Sequence, residues 1–321
     1  MNLEFIYNRA LNRTAISMVE AMYILGLPDK QLGELFLYAN KLRQHYFADN
    51  VHLCGILNAK SGECSEDCCY CAQSVHHKTN IFSYGMLTVA EILENAKMAK
   101  ENGVRCFSLV TSGRGIVEDS DFEIILEAIS SGESQITAAS LGILSSLQLL
   151  ALRKAGLCKY HHNLESAESF FSSICTTHTF AERIETIFNA KKAGLEICSG
   201  GIIGLGESLE QRVELAFTLK ALEVNSIPLN FLHPIPGTKI FDNYQPLRVE
   251  DILKTIAMFR FVLPNTILGV IGGRERLLAD RQADIFCAGA NCIMLGNYLT
   301  TAGNSIDADK ELIRRAGLKT S

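Results

Sequence analysis

The 321-residue chain is notable first for what it lacks. Its opening stretch, MNLEFIYNRALNRTAISMVEAM, has no uninterrupted apolar core behind a basic start, so no signal peptide is expected. Nowhere do ~20 apolar residues follow one another, as a membrane-spanning helix requires. The charge balance is not basic: a net charge of −5 and an isoelectric point near 5.9 leave no electrostatic footprint for nucleic acid or an anionic membrane. No linker, low-complexity tract or solenoid-length repeat divides the chain, so one large domain is expected. What remains, 48% hydrophobic and 20% charged residues, is ordinary for a globular protein with a sizeable core.

Cysteine breaks this ordinariness. The chain carries 11, four of them crowded into CSEDCCYC at 64–71. Eleven thiols without a secretory signal argue for a reducing compartment, and a cytoplasmic location is expected. Disulfide scaffolds are short and poor in core, and this chain is neither. The remaining cysteines stand singly, at Cys54, Cys106, Cys158, Cys175, Cys198, Cys287 and Cys292. One tight cluster with scattered singles favours metal or cluster ligation.

From about residue 50, short apolar runs alternate with amphipathic ones. VHLCGILNA, RCFSLVTSG, QITAASLG, KYHHNLE, EICSGGIIG, SIPLNFLH, TILGVIGG and NCIMLG read as strands. TVAEILENAKMAKEN, SSLQLLALRKAG, TFAERIETIFNAKKAG, SLEQRVELAFTLKAL and VEDILKTIAMFRF read as helices. Thr88, Ser145, Thr179 and Ser208 stand where N-caps stand, and Gly103, Gly156 and Gly194 where helices end. Eight β units alternating with helices predict a parallel (β/α)8 barrel of TIM type over 49–321, with residues 1–48 a helical N-terminal extension packed on it. In such barrels chemistry sits on the loops after the strands, and CSEDCCYC follows the first strand as SGRG follows the second.

Cys64, Cys68 and Cys71 form C-x3-C-x2-C, with Tyr70 before the last cysteine and Cys69 as an extra thiol. Three thiolates on one loop can hold three irons of a 4Fe–4S cube and leave the fourth iron open. Zinc is the alternative. It normally takes four ligands in C-x2-C pairs, and His76 and His77 could complete a set.

The cysteine loop resembles that of the radical S-adenosylmethionine (SAM) superfamily. The resemblance implies that the open iron binds the amino and carboxylate groups of SAM. One electron then cleaves the sulfonium to a 5′-deoxyadenosyl radical, a reagent for C–H bonds that no side-chain base can deprotonate. Within that superfamily, AKSGECSEDCCYCAQS (59–74), YHHNLES (160–166), TTHTFAERIET (176–186), CSGGIIGLGES (198–208), IPLNFLHPIPGT (227–238), GGRE (272–275) and AGANCIMLGNYLTT (288–301) resemble the biotin synthase family. The likeness runs from about residue 45 to 318 and touches every predicted strand. It implies that Asn163 and Asn230 hold the ureido ring of dethiobiotin, to which paired amide donors and acceptors are suited. It also implies that Arg183 binds the SAM carboxylate, that Glu165, where the family usually has Asp, lies beside the SAM ribose, and that Tyr70 and Asn163 touch the cofactor. His161 and His162 are expected to pack or join a network rather than ligate.

The chain departs from that family at one place. The usual members carry a 2Fe–2S cluster deep in the barrel, held by three cysteines and an arginine and thought to supply sulfur. Of those positions only Cys198 is kept; Ser108, Ala138 and Gly269 replace the others, and Ala and Gly cannot ligate. New thiols stand nearby in the strand pattern. Cys106 precedes Ser108 by two and so shares its side of the strand, and Cys54 and Cys292 lie on the first and eighth strands, neighbours in a closed barrel. Cys54, Cys106, Cys198 and Cys292 are therefore expected to bind a different auxiliary iron–sulfur cluster, four thiolates suiting four irons. Cys287 is held in reserve, in the helix before the eighth strand. Free cysteine also behaves as a small buried hydrophobe, and Cys158, Cys175 and Cys287 are assigned to packing.

The resemblance implies a sulfurtransferase that turns dethiobiotin into biotin at the expense of two SAM. Flavodoxin or ferredoxin would supply electrons, an iron–sulfur assembly machinery would load the clusters, and a homodimer is expected. Two other readings stay open: a radical SAM enzyme of another kind, like the hydrogenase-maturation or methylornithine-forming members, and a non-catalytic iron–sulfur or zinc scaffold. The two asparagines favour a cyclic urea, whereas a zwitterionic amino acid would want charged partners.

Overall fold

The structure, a computed structural model, describes residues 2–132 and 135–320. Helices Leu3–Leu11, Met18–Leu25 and Leu32–Phe47 precede the first strand. Their apolar faces, among them Ile6, Ile24, Leu35 and Leu42, close over the helix Val249–Val262, which is buried from Ile252 onward. That helix is apolar nearly all round because it has neighbours on both sides.

The strands are β1 (Asn50–Lys60), β2 (Cys106–Thr111), β3 (Ile136–Ser140), β4 (Lys159–His161), β5 (Glu196–Cys198), β6 (Gly201–Ile203), β7 (Ser226–Phe231), β8 (Ile267–Val270), β9 (Cys292–Met294) and β10 (Lys319–Thr320). All pairings among the named strands are parallel. They run β1-β2-β3-β4-β5-β7-β8-β9, with β6 following β5 alongside β7, and β1 pairs with β9 to close the barrel. β10 adds to the start of β1 from outside.

Local chemistry explains the helices between the strands. Thr88, Ser145, Thr179 and Ser208 each form a capping box, with Glu91, Gln148, Glu182 and Gln211 reaching back to the cap. Gly103, Gly156 and Gly194 leave three of these helices in left-handed conformation, at φ 87°, 113° and 81°.

One difference from the sequence expectation bears on the site. EICSGGIIG was expected as a single strand, but β5 and β6 are separated at Ser199–Gly200. There the chain passes so close to β7 that a Cβ on Gly200 would stand 2.0 Å from the Pro228 carbonyl oxygen. The Gly200 N–H, freed from a regular ladder, donates to the Asn163 side chain at 3.1 Å.

Candidate active site

Beyond Lys60 the chain leaves the barrel as an irregular loop that its own backbone ties closed. Cys64 N–H donates to the Gln73 carbonyl at 3.0 Å, Val75 N–H returns a bond to Cys64 at 2.9 Å, and Cys71 N–H turns back onto Cys68 at 2.9 Å. A second segment clasps it: Cys69 N–H bonds the Ile174 carbonyl at 2.8 Å, and the Asp67 carboxylate accepts Thr176 N–H at 2.8 Å and Thr177 N–H at 3.2 Å. The result is convergence. Cys64, Cys68 and Cys71 line one cavity of about 210 Å³, together with Asn163, Glu165 and Arg183.

These thiols are poised for a cation. Burial raises the pKa of Cys64 and pushes Cys71 up to about 11, while Cys68 is driven upward by its bond with Cys175 and then by burial. A metal centre reverses that penalty by replacing protons on the sulfurs. In the same cavity wall His162 Nε2 is buried with no hydrogen-bond partner among the described residues. Three converging sulfurs and a lining arginine thus fit a three-thiolate cluster with a charged organic ligand at its open corner. His76 and His77 do not line this cavity; their rings bond the backbone carbonyls of Ser65 at 3.0 Å and of Cys71 at 2.8 Å.

The cavity opens into a mouth pocket of about 320 Å³, and Tyr70, Cys71, Asn163 and Glu165 line both. Asn163 is oriented by its neighbours: its side-chain oxygen accepts Gly200 N–H at 3.1 Å and lies 3.1 Å from His161 Nε2, while its amide N–H reaches Glu165 at 3.4 Å. Asn230 is held likewise, its oxygen accepting Gly272 N–H at 3.0 Å. Burial raises the Glu165 pKa against the pull of Arg183, whose guanidinium lies 3.9 Å away. Arg183 also donates to the Asn163 carbonyl at 2.8 Å and lies over the Phe171 ring at 5.5 Å.

Beneath the mouth pocket, toward the N-terminal ends of the strands, lies a separate chamber of about 150 Å³. Ile56, His161, Pro228, Ile271 and Met294 line both and form the waist between them. Cys54, Cys106, Cys198 and Cys292 all line this chamber, as do Ser108, Ala138 and Gly269. Sheet register explains the meeting: Cys54 is paired with Cys106 across β1 and β2, and Cys292 with His52 of β1 and Gly269 of β8. The sulfurs of Cys54 and Cys292 stand 3.3 Å apart. A Cβ on Gly269 would already be 3.4 Å from the Cys292 sulfur, so the bare glycine leaves the chamber clear where a side chain would enter it. The Ser108 hydroxyl is buried there without a partner among the described residues. Burial pushes Cys198 up to about 11.

Two assignments need correction and a third needs extending. Cys158 and Cys287 do not pack: both are exposed, on the outside of the barrel. Cys175 is buried but is no bystander, since its sulfur lies 3.2 Å from His178 Nδ1 and within 4.8 Å of the Cys68 sulfur. Sequence reasoning also passed over Glu66, His178 and Lys159. Lys159 lines the chamber, where burial would lower its pKa but the nearby Cys106 and Cys198 raise it on balance. Its signal was there to find, a lysine two residues before the inward-facing His161 on β4.

Barrel, cysteine loop and ligand cavity together define a radical SAM protein, and the superfamily profile matches residues 60–219. Residues 228–319 match the Biotin and Thiamin Synthesis associated domain. The biotin synthase of Geotalea uraniireducens is 44% identical over 99% of this chain and 98% of its own. That of Clostridium tetani is 48% identical over 95% and 92%. The chain belongs to the biotin synthase family. Among solved structures, methylornithine synthase shares the fold with a TM-score of 0.86 at 19% identity, covering 98% of this chain and 97% of that one. The hydrogenase maturase HydG from Carboxydothermus hydrogenoformans does so at 0.81 and 20%, covering 99% and 79%. Membership of the superfamily brings a 4Fe–4S cluster and SAM.

Proposed function

We propose that this protein converts dethiobiotin to biotin by radical SAM sulfur insertion, drawing the sulfur from an auxiliary iron–sulfur cluster in the lower chamber. The observation that carries this reading is the stacking of two sulfur-lined cavities on either side of one pocket that holds paired asparagines. Cys64, Cys68 and Cys71 hold the 4Fe–4S cluster; Arg183, Glu165, Asn163 and Tyr70 bind SAM. When bound, these groups supply a carbon-centred radical that takes hydrogen from an unactivated C–H, and the lower cluster supplies sulfide.

The chain's own residues position the substrate between the two. Asn163 and Asn230 offer amide donors and acceptors to the ureido ring, and their orientation is fixed beforehand by Gly200 and Gly272. The waist of Ile56, Pro228, Ile271 and Met294 suits the apolar carbons that receive sulfur. Cys54, Cys106, Cys198 and Cys292 hold the auxiliary cluster, with Lys159 offsetting its negative charge. Four thiolates on four strands can hold a four-iron centre, and the ligand set of the usual 2Fe–2S cluster is broken at Ser108, Ala138 and Gly269.

Residues 1–48 form the N-terminal extension and 49–321 the catalytic barrel. Electrons come from flavodoxin or ferredoxin, an iron–sulfur assembly machinery loads the protein, and it acts as a cytoplasmic homodimer. No helix among the described residues is long and apolar enough to cross a membrane. Anaerobic incubation with SAM, reductant and dethiobiotin, followed by mass detection of biotin and 5′-deoxyadenosine, tests the reading. Both products are expected; deoxyadenosine without biotin would point to another substrate, and neither to a scaffold.

A further inference from the structure

Arg183 is held by a chain of one-way hydrogen bonds that begins inside the cysteine loop. Its Nε lies 3.0 Å from His178 Nε2, and His178 Nδ1 lies 2.5 Å from Glu66 Oε2. An arginine Nε–H can only donate, so Nε2 must accept, and the proton of the neutral ring must be on Nδ1. A carboxylate can only accept, so Glu66 receives that proton's bond and fixes the tautomer. Both side chains are buried, at 3% and 8% exposure. Glu66 is itself seated by the Thr177 hydroxyl at 2.8 Å and by Arg114 at 3.6 Å.

The Cys68 and Cys175 sulfurs and a His178 ring nitrogen lie within 4.8 Å of one another, spacing that a single divalent ion could use. Both ring nitrogens are already committed, however, and a cation on either would break the chain. The ring works as a spacer between a carboxylate and a guanidinium.

We propose that His178 and Glu66 are positioning residues that set the angle of the Arg183 guanidinium for a carboxylate ligand, and so set the affinity for SAM. Two Arg183 nitrogens are tied to the protein, Nε to His178 and Nη1 to the Asn163 carbonyl. Nη2 bonds no protein group among the described residues and is left for the ligand. Because Glu66 lies between Cys64 and Cys68, the arginine is aligned by the loop that carries the cluster thiols. The inference rests on the reading of Arg183 as the partner of the SAM carboxylate.

The test is a double-mutant cycle on cluster-loaded protein, read by the change in the reduced cluster's electron paramagnetic resonance as SAM is titrated, and by KM for SAM against kcat. His178→Leu removes the bonds to Arg183 and Glu66, and the Cys175 contact, and should weaken SAM by about tenfold while kcat at saturating SAM and iron content hold. His178→Gln places an amide oxygen near the Nε2 position and should recover most of the affinity, whereas His178→Asn, which reaches only Glu66, should not. In an Arg183→Met background, His178→Leu should add nothing further. If Arg183→Met leaves SAM affinity unchanged, the reading of Arg183 fails. If Arg183→Met weakens SAM but the two losses simply add, or Gln and Asn behave alike, the positioning role is overturned while the reading of Arg183 stands. Should His178→Leu not fold, the Gln and Asn pair and Glu66→Gln, which leaves the tautomer undirected, carry the same comparison.

Discussion

The thiols at the barrel mouth ride on an irregular loop closed by backbone bonds and clasped by Asp67, whereas those of the lower chamber stand on four strands whose positions the sheet dictates. A loop can adjust to a cluster without breaking ladder register, even though Cys68 and Cys69 here pack into the core. Strand-borne ligands cannot adjust. Their separation is set by ladder register and by buried groups such as Arg260, which donates to the Gly289 carbonyl at 2.8 Å and to Asn291, the residue before Cys292, at 2.7 Å. The mouth is therefore suited to a cofactor that gains and loses a ligand, and the chamber to a cluster of fixed size.

This contrast can be broken at several points. The largest effect is expected from Cys198→Ala: biotin formation should fall to background while reductive cleavage of SAM continues, measured as deoxyadenosine. Loss of both activities together would mean that the two centres are not separate. Next comes pH. Thiols must shed protons to ligate, and Cys71 and Cys198 both stand near 11, so between pH 7 and 8 iron loading should strengthen with rising pH. The slope is about tenfold per thiol proton released, and so steeper for four chamber cysteines than for three at the mouth. Chelator competition at each pH, with the two centres resolved by their spectra, checks the difference.

Arg260→Met strands several buried carbonyls and should cost about 3 kcal/mol of global stability, seen in denaturant melts. It should disturb the chamber before the mouth. Asn230→Leu should raise KM for dethiobiotin about tenfold and leave SAM cleavage in the absence of substrate untouched. The smallest change is Asp67→Ala, which removes the clasp on the loop. It should cost about 1 kcal/mol and show as faster iron loss from the mouth alone.

How much of this could be seen in the sequence follows the same division. Cys64, Cys68 and Cys71 are visible because their spacing is local, and the barrel is visible because caps such as Thr88 and Ser208 punctuate regular alternation. The chamber cysteines are 52, 92 and 94 residues apart along the chain, and only strand parity together with the missing arginine at Gly269 brings them to one place. The split of the fifth strand was not legible, since it depends on the approach of Gly200 to Pro228. Cys175 reads as a packing residue and His178 carries no signal of its own, because a lone cysteine or histidine has no periodic partner. Their partners, Cys68 and Glu66, lie more than 100 residues earlier.

Sulfur insertion as proposed requires two metal centres, and the most direct test is to remove one. In protein purified without oxygen and carrying Ala at Cys64, Cys68 and Cys71, iron and sulfide should still be present in about equal amounts, with a Mössbauer signature of a cluster ligated by four thiolates. Iron and sulfide falling to zero in that variant, while the parent protein holds a single cluster, would contradict it.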